Sequence, residues 1–147
     1  AKKQNEYLQG QLEKNLPGLN ISLQNVPFKS RLNKSMTGDF DIVVTAWNAD
    51  FPDPVTFLDL FTTNNPQNDG KYSSKEYDAL IKKSKTTDAT DPEARWQDLL
   101  QAAALLTEDQ GAVPLYQTYQ ANLTRENVKN YRITPNGSYN LATVYKK

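Results

Sequence analysis

Apolar positions along the first third of the chain recur at two different periods. Tyr7, Leu8 and Leu12 lie at helical spacing, and "NLPGLN" stops that run at Pro17 and Gly18. "NISLQNV" alternates instead, with Ile21 and Leu23 on one face, as a half-buried strand does. Phe28, Leu32 and Met36 then repeat every fourth residue, and Gly38 follows as a C-terminal cap. Ile42 to Trp47 is apolar except for Thr45 and rich in β-branched residues, which predicts a strand covered on both faces of a parallel sheet. Helix, strand, helix, strand predicts a layered α/β unit with right-handed crossovers.

The second half reads as helical and then extended. Asp53 before Pro54 predicts an N-cap and first turn for a short helix through Phe57, Leu58 and Phe61. "NNPQNDGKY" is a loop of turn formers. "SSKEYDALIKKSK" opens with a capping box from Ser73 to Glu76 and carries Tyr77, Leu80 and Ile81 on one face. Asp91 and Pro92 begin the clearest helix, with Trp96, Leu99, Leu100, Ala103 and Leu106 as its stripe and Gly111 as its end. "AVPLYQTYQANLT" predicts a strand with an extension. An Asn-Gly turn and a weaker strand, Leu141 to Tyr145, close the chain.

Composition narrows the chemistry. A chain of 147 residues fits one domain or the larger part of one, and its 17 basic residues balance 17 acidic ones. Such a balance supplies no long-range field for nucleic acid. No apolar run approaches the ~18–20 residues that span a bilayer. There is no cysteine and no histidine, which removes disulfides, thiol chemistry, zinc sites of Cys and His, and Ser-His or Cys-His nucleophiles. The opening stretch, "AKKQNEYLQGQLEK", has no Met or signal-peptide pattern and already reads as helix, as though it lay inside a larger protein.

Candidate chemistry gathers in "FDIVVTAWNADFPDP", residues 40 to 54. Asp50 and Asp53 beside an aromatic raise a paired-carboxylate glycoside hydrolase, whose carboxyls stand ~5–5.5 Å apart in retaining and ~6.5–9.5 Å in inverting enzymes. Asp53, however, is better read as the cap of the helix that Pro54 begins, which leaves Asp50 without a partner. Asp50 lies just past a predicted buried strand, where open α/β sheets place ligands, and equally suits a solvated turn. Trp47 is core or binding platform. A carboxylate in a partly dry cleft favours a cationic group such as an ammonium. The Asn64–Asp69 loop offers oxygens but lacks the spaced carboxylates of a calcium loop. Four Asn-x-Ser/Thr triplets, at Asn20, Asn33, Asn122 and Asn136, carry no weight. Tyr116, Tyr119 and Tyr139 fit a groove or plain strand alternation.

Three motifs occur in a meaningful order: "GDFDIVVTAWNADFPDPVTFLDLFTT", then "YSSKEYDALI", then "EARWQDLLQAAALLTEDQGAVPLYQTY". Together, from about Asn20 to Tyr119, they resemble the C-terminal part of the oligopeptide-binding proteins of ABC importers, extracellular solute-binding protein family 5. Trp47-x-Ala49-Asp50-aromatic-Pro52-Asp53-Pro54 is the most specific piece, with Phe51 standing where the family commonly has Tyr.

The resemblance implies an α/β fold, a mixed sheet flanked by helices, forming one lobe of a two-lobed, type II periplasmic-binding-protein-like receptor. It implies residues 1–121 as the ligand-binding lobe and 122–147 as a tail returning toward the first lobe. The ligand would be a short peptide, with Asp50 pairing with its α-amino group and Trp47 and Asn48 lining the same stretch. It implies delivery to a membrane permease, no catalysis, no cofactor or metal, and no nucleic acid. The receptor would be a monomer, lipid-anchored at the bacterial surface or free in the periplasm. The alternatives are the same fold binding a nickel complex, a sugar or a signalling peptide, and, more remotely, the carboxylate hydrolase.

Overall fold

The computed structural model of the chain describes residues 2–134 and 136–147. Contacts divide it into two units, Ala1–Ala46 and Trp47–Lys147.

The first unit holds two helices. Helix α1, Lys2–Asn15, covers the first predicted run, Ala1 lying outside the described residues. The expected strand at Ile21 and Leu23 keeps its alternation, both residues half-buried between exposed neighbours, but it joins no ladder. Its backbone is gripped by α1 instead: Gln9 Nε2 donates to the Ile21 carbonyl at 2.7 Å, and the Ile21 N–H donates to Glu13 Oε1 at 2.7 Å. Helix α2, Phe28–Thr37, ends as expected at Gly38, whose φ of 72° is the left-handed conformation that glycine adopts without strain. The Gly38 and Asp39 N–H groups then close onto the carbonyls of Ser35 and Lys34.

Ile42 to Trp47 departs from expectation. The run forms no strand and no backbone hydrogen bond among the described residues, and Ile42 is 67% exposed. β-Branched composition reports the surroundings in which a segment is used. A strand covered on both faces needs neighbours, and none is hydrogen-bonded to this one among the described residues. Residues 112–124, the predicted strand "AVPLYQTYQANLT", behave the same way, with Val113, Tyr116, Tyr119 and Leu123 exposed.

The second unit carries the core. Helix α3, Val55–Leu58, runs into a 3₁₀ turn, Asp59–Phe61. Helix α4, Lys75–Lys85, packs on helix α5, Pro92–Glu108. Val55, Tyr77, Ile81, Leu99, Ala102 and Leu106 are buried together, flanked by Leu58, Phe61, Tyr72 and Leu80. Tyr77 is edge-on to Tyr72 at 5.4 Å, and its hydroxyl donates to the Leu58 carbonyl at 2.5 Å, which ties α4 to α3. Burial, chiefly, pushes the Tyr77 hydroxyl pKa well up.

Caps fall close to their predicted places. Asp91 accepts from the N–H groups of Glu93 and Ala94 at 3.1 Å, with Pro92 in the first turn of α5. The α4 cap is Ser74, one residue later than expected: its hydroxyl accepts from Tyr77 N–H at 3.3 Å, while Ser73 meets the Thr63 hydroxyl at 3.1 Å. Tyr77, not Glu76, therefore stands at the position a capping box requires, and the box does not form. The buried stripe of α5 is also rotated. Leu99, Ala102 and Leu106 face the core, whereas Trp96 and Leu100 open into an apolar groove with Pro54 and Phe57. Gln110, with φ of 55°, takes the left-handed turn after α5, and Gly111 serves as a point of close approach to Tyr72 and Leu106.

The tail is a broken hairpin. β1, Val128–Lys129, pairs antiparallel with β4, Tyr145–Lys146, and β2, Arg132–Ile133, with β3, Tyr139–Asn140. The Asn-Gly turn forms as expected, with Gly137 at φ 79°. The strand expected from Leu141 to Tyr145 does not: Asn140 Oδ1 accepts from Ala142 N–H at 2.9 Å, a local turn that interrupts the ladder.

Candidate functional site

Residues 47–54 lead from the unpaired run into α3. Trp47 is 39% exposed, and Asn48 and Asp50 are exposed beside it. Trp47 is therefore not packed as core in its unit, and its indole presents a flat apolar face with a polar N–H. The chain bends at Asp50 to Asp53, where the Asp53 N–H reaches back to the Phe51 carbonyl at 2.9 Å.

Two ties from α3 hold this bend. The Asp50 N–H donates to the hydroxyl oxygen of Thr56 at 3.0 Å, and the Thr56 N–H donates to the Asp53 carbonyl at 3.1 Å. Thr56 itself is buried. Neither contact appears in the pattern of apolar positions, and the only sequence signal is a hydroxyl residue in the first turn of a helix.

The two carboxylates of the stretch are used differently. Asp53 Oδ1 accepts from the Val55 N–H at 2.9 Å, the capping bond expected of it. Its carboxylate also receives Arg95 Nη2 at 2.8–2.9 Å on both oxygens. Arg95 sits on α5, 42 residues away, and donates through Nε to the Ser84 carbonyl at 3.2 Å. Hydrogen bonding from Arg95 is the largest reason the Asp53 pKa lies below its ordinary value, outweighing the opposing effect of burial. Asp50, by contrast, has no hydrogen-bond or ion-pair partner at its carboxylate among the described residues. An exposed anionic group without a partner, next to an amide and an indole in the same stretch, suits a cationic hydrogen-bond donor. Two free carboxylates flanking a bond, as a hydrolase needs, are not on offer, since Asp53 is engaged by Arg95 and Val55.

The lesser candidates resolve simply. In the Asn64–Asp69 loop, Asn68 is 2% exposed and turns inward. Its amide donates to the Tyr72 carbonyl at 2.7 Å, and its oxygen accepts from the Tyr72 N–H at 3.1 Å. That residue organises the loop. Among the described residues no cluster of three or more acidic, His or Cys side chains could hold a metal. Tyr139 stacks at a tilt on Tyr131 at 6.4 Å, while Tyr116 and Tyr119 stand exposed.

Residues 1–69 match the model of the bacterial extracellular solute-binding proteins, family 5 middle region. A dipeptide-binding protein of Lactococcus lactis is 43% identical over 84% of this chain and 22% of its own length. The substrate-binding domain of an oligopeptide ABC transporter from Bacillus anthracis superposes with a TM-score of 0.85, at 35% identity, over 99% of this chain and 29% of that one. Listeria monocytogenes OppA bound to peptide gives a TM-score of 0.80 at 38% identity, over 99% of this chain and 27% of that one. The chain thus spans about a fifth of the length of the curated relatives it matches. Its backbone follows one lobe of the type II periplasmic-binding-protein-like fold, the fold class expected from the motifs.

Proposed function

We propose that the chain, whose residues 1–69 match the bacterial extracellular solute-binding proteins of family 5, is part of a receptor of that family for short peptides, which it delivers to the membrane permease of an ABC importer. Residues 1–121 form the ligand-binding lobe in this reading, and residues 122–147 the tail that returns toward the other lobe. Asp50 pairs with the peptide's α-amino group, and Trp47 and Asn48 line the same stretch. The carrying observation is that Asp50 keeps its carboxylate uncommitted while Asp53, beside it in sequence, is bound on both oxygens. A charge-assisted contact from an ammonium satisfies an anion of that kind, and main-chain hydrogen bonds supply sequence-tolerant affinity to an extended peptide.

The family is one of binding proteins, and no bond is made or broken in this reading. The receptor acts as a monomer outside the cytoplasmic membrane, lipid-anchored at the cell surface or free in the periplasm. Native mass spectrometry of the protein at its natural length, purified from its host without refolding, is the test. Copurifying masses that fragment into short peptides and vanish in Asp50→Asn are the expected result. A non-peptide mass that persists in Asp50→Asn would overturn the reading.

A further inference from the structure

If Asp50 receives the amino group, as proposed above, its carboxylate must be aimed before the ligand arrives, because ordering an exposed loop on binding costs affinity. Asp50 itself has no side-chain contact that could aim it among the described residues, so aiming falls to the backbone. The bend from Asp50 to Asp53 is closed at both ends by one residue. Thr56 accepts the Asp50 N–H on its hydroxyl at 3.0 Å and donates its own N–H to the Asp53 carbonyl at 3.1 Å.

Thr56 is in turn held firmly. It is buried in the first turn of α3, next to Val55 of the core. The neighbouring Val55 N–H is fixed by Asp53, and Asp53 by Arg95 of α5, which also grips the end of α4 through the Ser84 carbonyl. A chain of contacts thus runs from the α4–α5 core to the backbone nitrogen of Asp50. Any residue but proline can donate the backbone N–H at this place, but the Asp50 N–H needs a side-chain acceptor, which the Thr56 hydroxyl supplies.

We infer that Thr56 is the positioning residue for Asp50, its hydroxyl setting the direction from which the carboxylate meets a ligand ammonium. Valine at this place keeps the shape and removes the acceptor. The Asp50 N–H is then left unpaired, and the bend is closed by the backbone alone.

The test uses the protein at its natural length and a synthetic pool of short peptides, offered with free amino termini and as N-acetyl forms, with retained peptides read by mass spectrometry. Thr56→Val is expected to lower the preference for free amines about five- to tenfold, the worth of roughly one hydrogen bond. Retention of the acetylated peptides should stay constant, and Thr56→Ser should restore the preference. Thr56→Ala replaces Thr56→Val if the latter fails to fold. An equal loss of both peptide forms would mark Thr56 as merely structural and overturn the inference. So would an unchanged preference in Thr56→Val alongside its loss in Asp50→Asn. If Asp50→Asn itself leaves the preference unchanged, or the wild type shows none, the amino-group contact falls, and this inference falls with it.

Discussion

Replacing Asp53 by Asn isolates the clamp that anchors the candidate site. Asn keeps an oxygen for the Val55 N–H but loses the charge that faces Arg95 at 2.8–2.9 Å. A hydrogen bond to a charged group contributes roughly 1.5–3 kcal/mol when sheltered, and an exposed ion pair about 0.2–1 kcal/mol. The two side chains are 31% and 25% exposed, between those limits, which sets the expected loss at about 1–1.5 kcal/mol. With a urea slope of roughly 1–3 kcal/mol per molar, the unfolding midpoint should drop by about half a molar. Asp53→Ala should lose about 1 kcal/mol more, because the cap goes as well. The pH dependence has a definite sign. Asp53 titrates below its ordinary 3.8 when folded, so the unfolded chain holds the extra proton in that window. The stabilisation is complete at pH values above 3.8 and is lost as the pH falls through the folded value. Urea titrations of wild type and Asp53→Asn at neutral pH and at successively lower pH check this. Equal midpoints at neutral pH, or a difference that persists at the acid end, would refute the clamp.

Three further substitutions probe the surroundings of that clamp. Leu99→Ala empties a position that is 2% exposed at the α4–α5 contact and should cost about 2–4 kcal/mol in a urea titration, near the range for buried leucines. Gly111→Ala places a Cβ 2.7 Å from both the Leu106 Cδ1 and the Tyr72 ring, and the ring is fixed by a 2.7 Å hydrogen bond to Asp109. Overpacking of that kind should lower stability by about 1–3 kcal/mol, read from the thermal midpoint. Asn68→Ala leaves the backbone groups of Tyr72 without their partner inside a loop, and limited proteolysis should then cut between residues 63 and 72 faster than in the wild type.

The helices of the second unit are legible because their signals are local. Asp91 and Pro92 sit where the start of α5 requires them, and Tyr77 and Ile81 recur at helical spacing and are buried. The errors there are of one residue or part of a turn. Ser74 takes the cap in place of Ser73, and Ala102 takes the inward place given to Ala103. Ile42 to Trp47 fails differently. Its composition suits a strand, but a ladder is a property of two segments, and the periodicity of one says nothing about where the other lies. The site divides along the same line. Trp47, Asp50 and the capping role of Asp53 sit in one short stretch and could be singled out directly, whereas Asn48 enters only through the family resemblance. Arg95 could not, because the contact that gives it meaning spans 42 residues and a fold.

Asp50 and Asp53 show why the position of a carboxylate matters more than its proximity to another one. Both follow Trp47 within a single bend, and a pairing of the two was the natural enzyme hypothesis. The fold separates them by giving one everything and the other nothing. Asp53 is bound by a helix N–H and by a guanidinium anchored to two helices, so moving a proton onto it would weaken α3 at its first turn. Asp50 is held only by its backbone nitrogen, which leaves the carboxylate outside the cooperative structure of the core. Its loss therefore removes no contact on which the fold relies among the described residues. In the proposed reading, a group tied through its backbone yet free at its charged end is open to a cationic donor from the ligand.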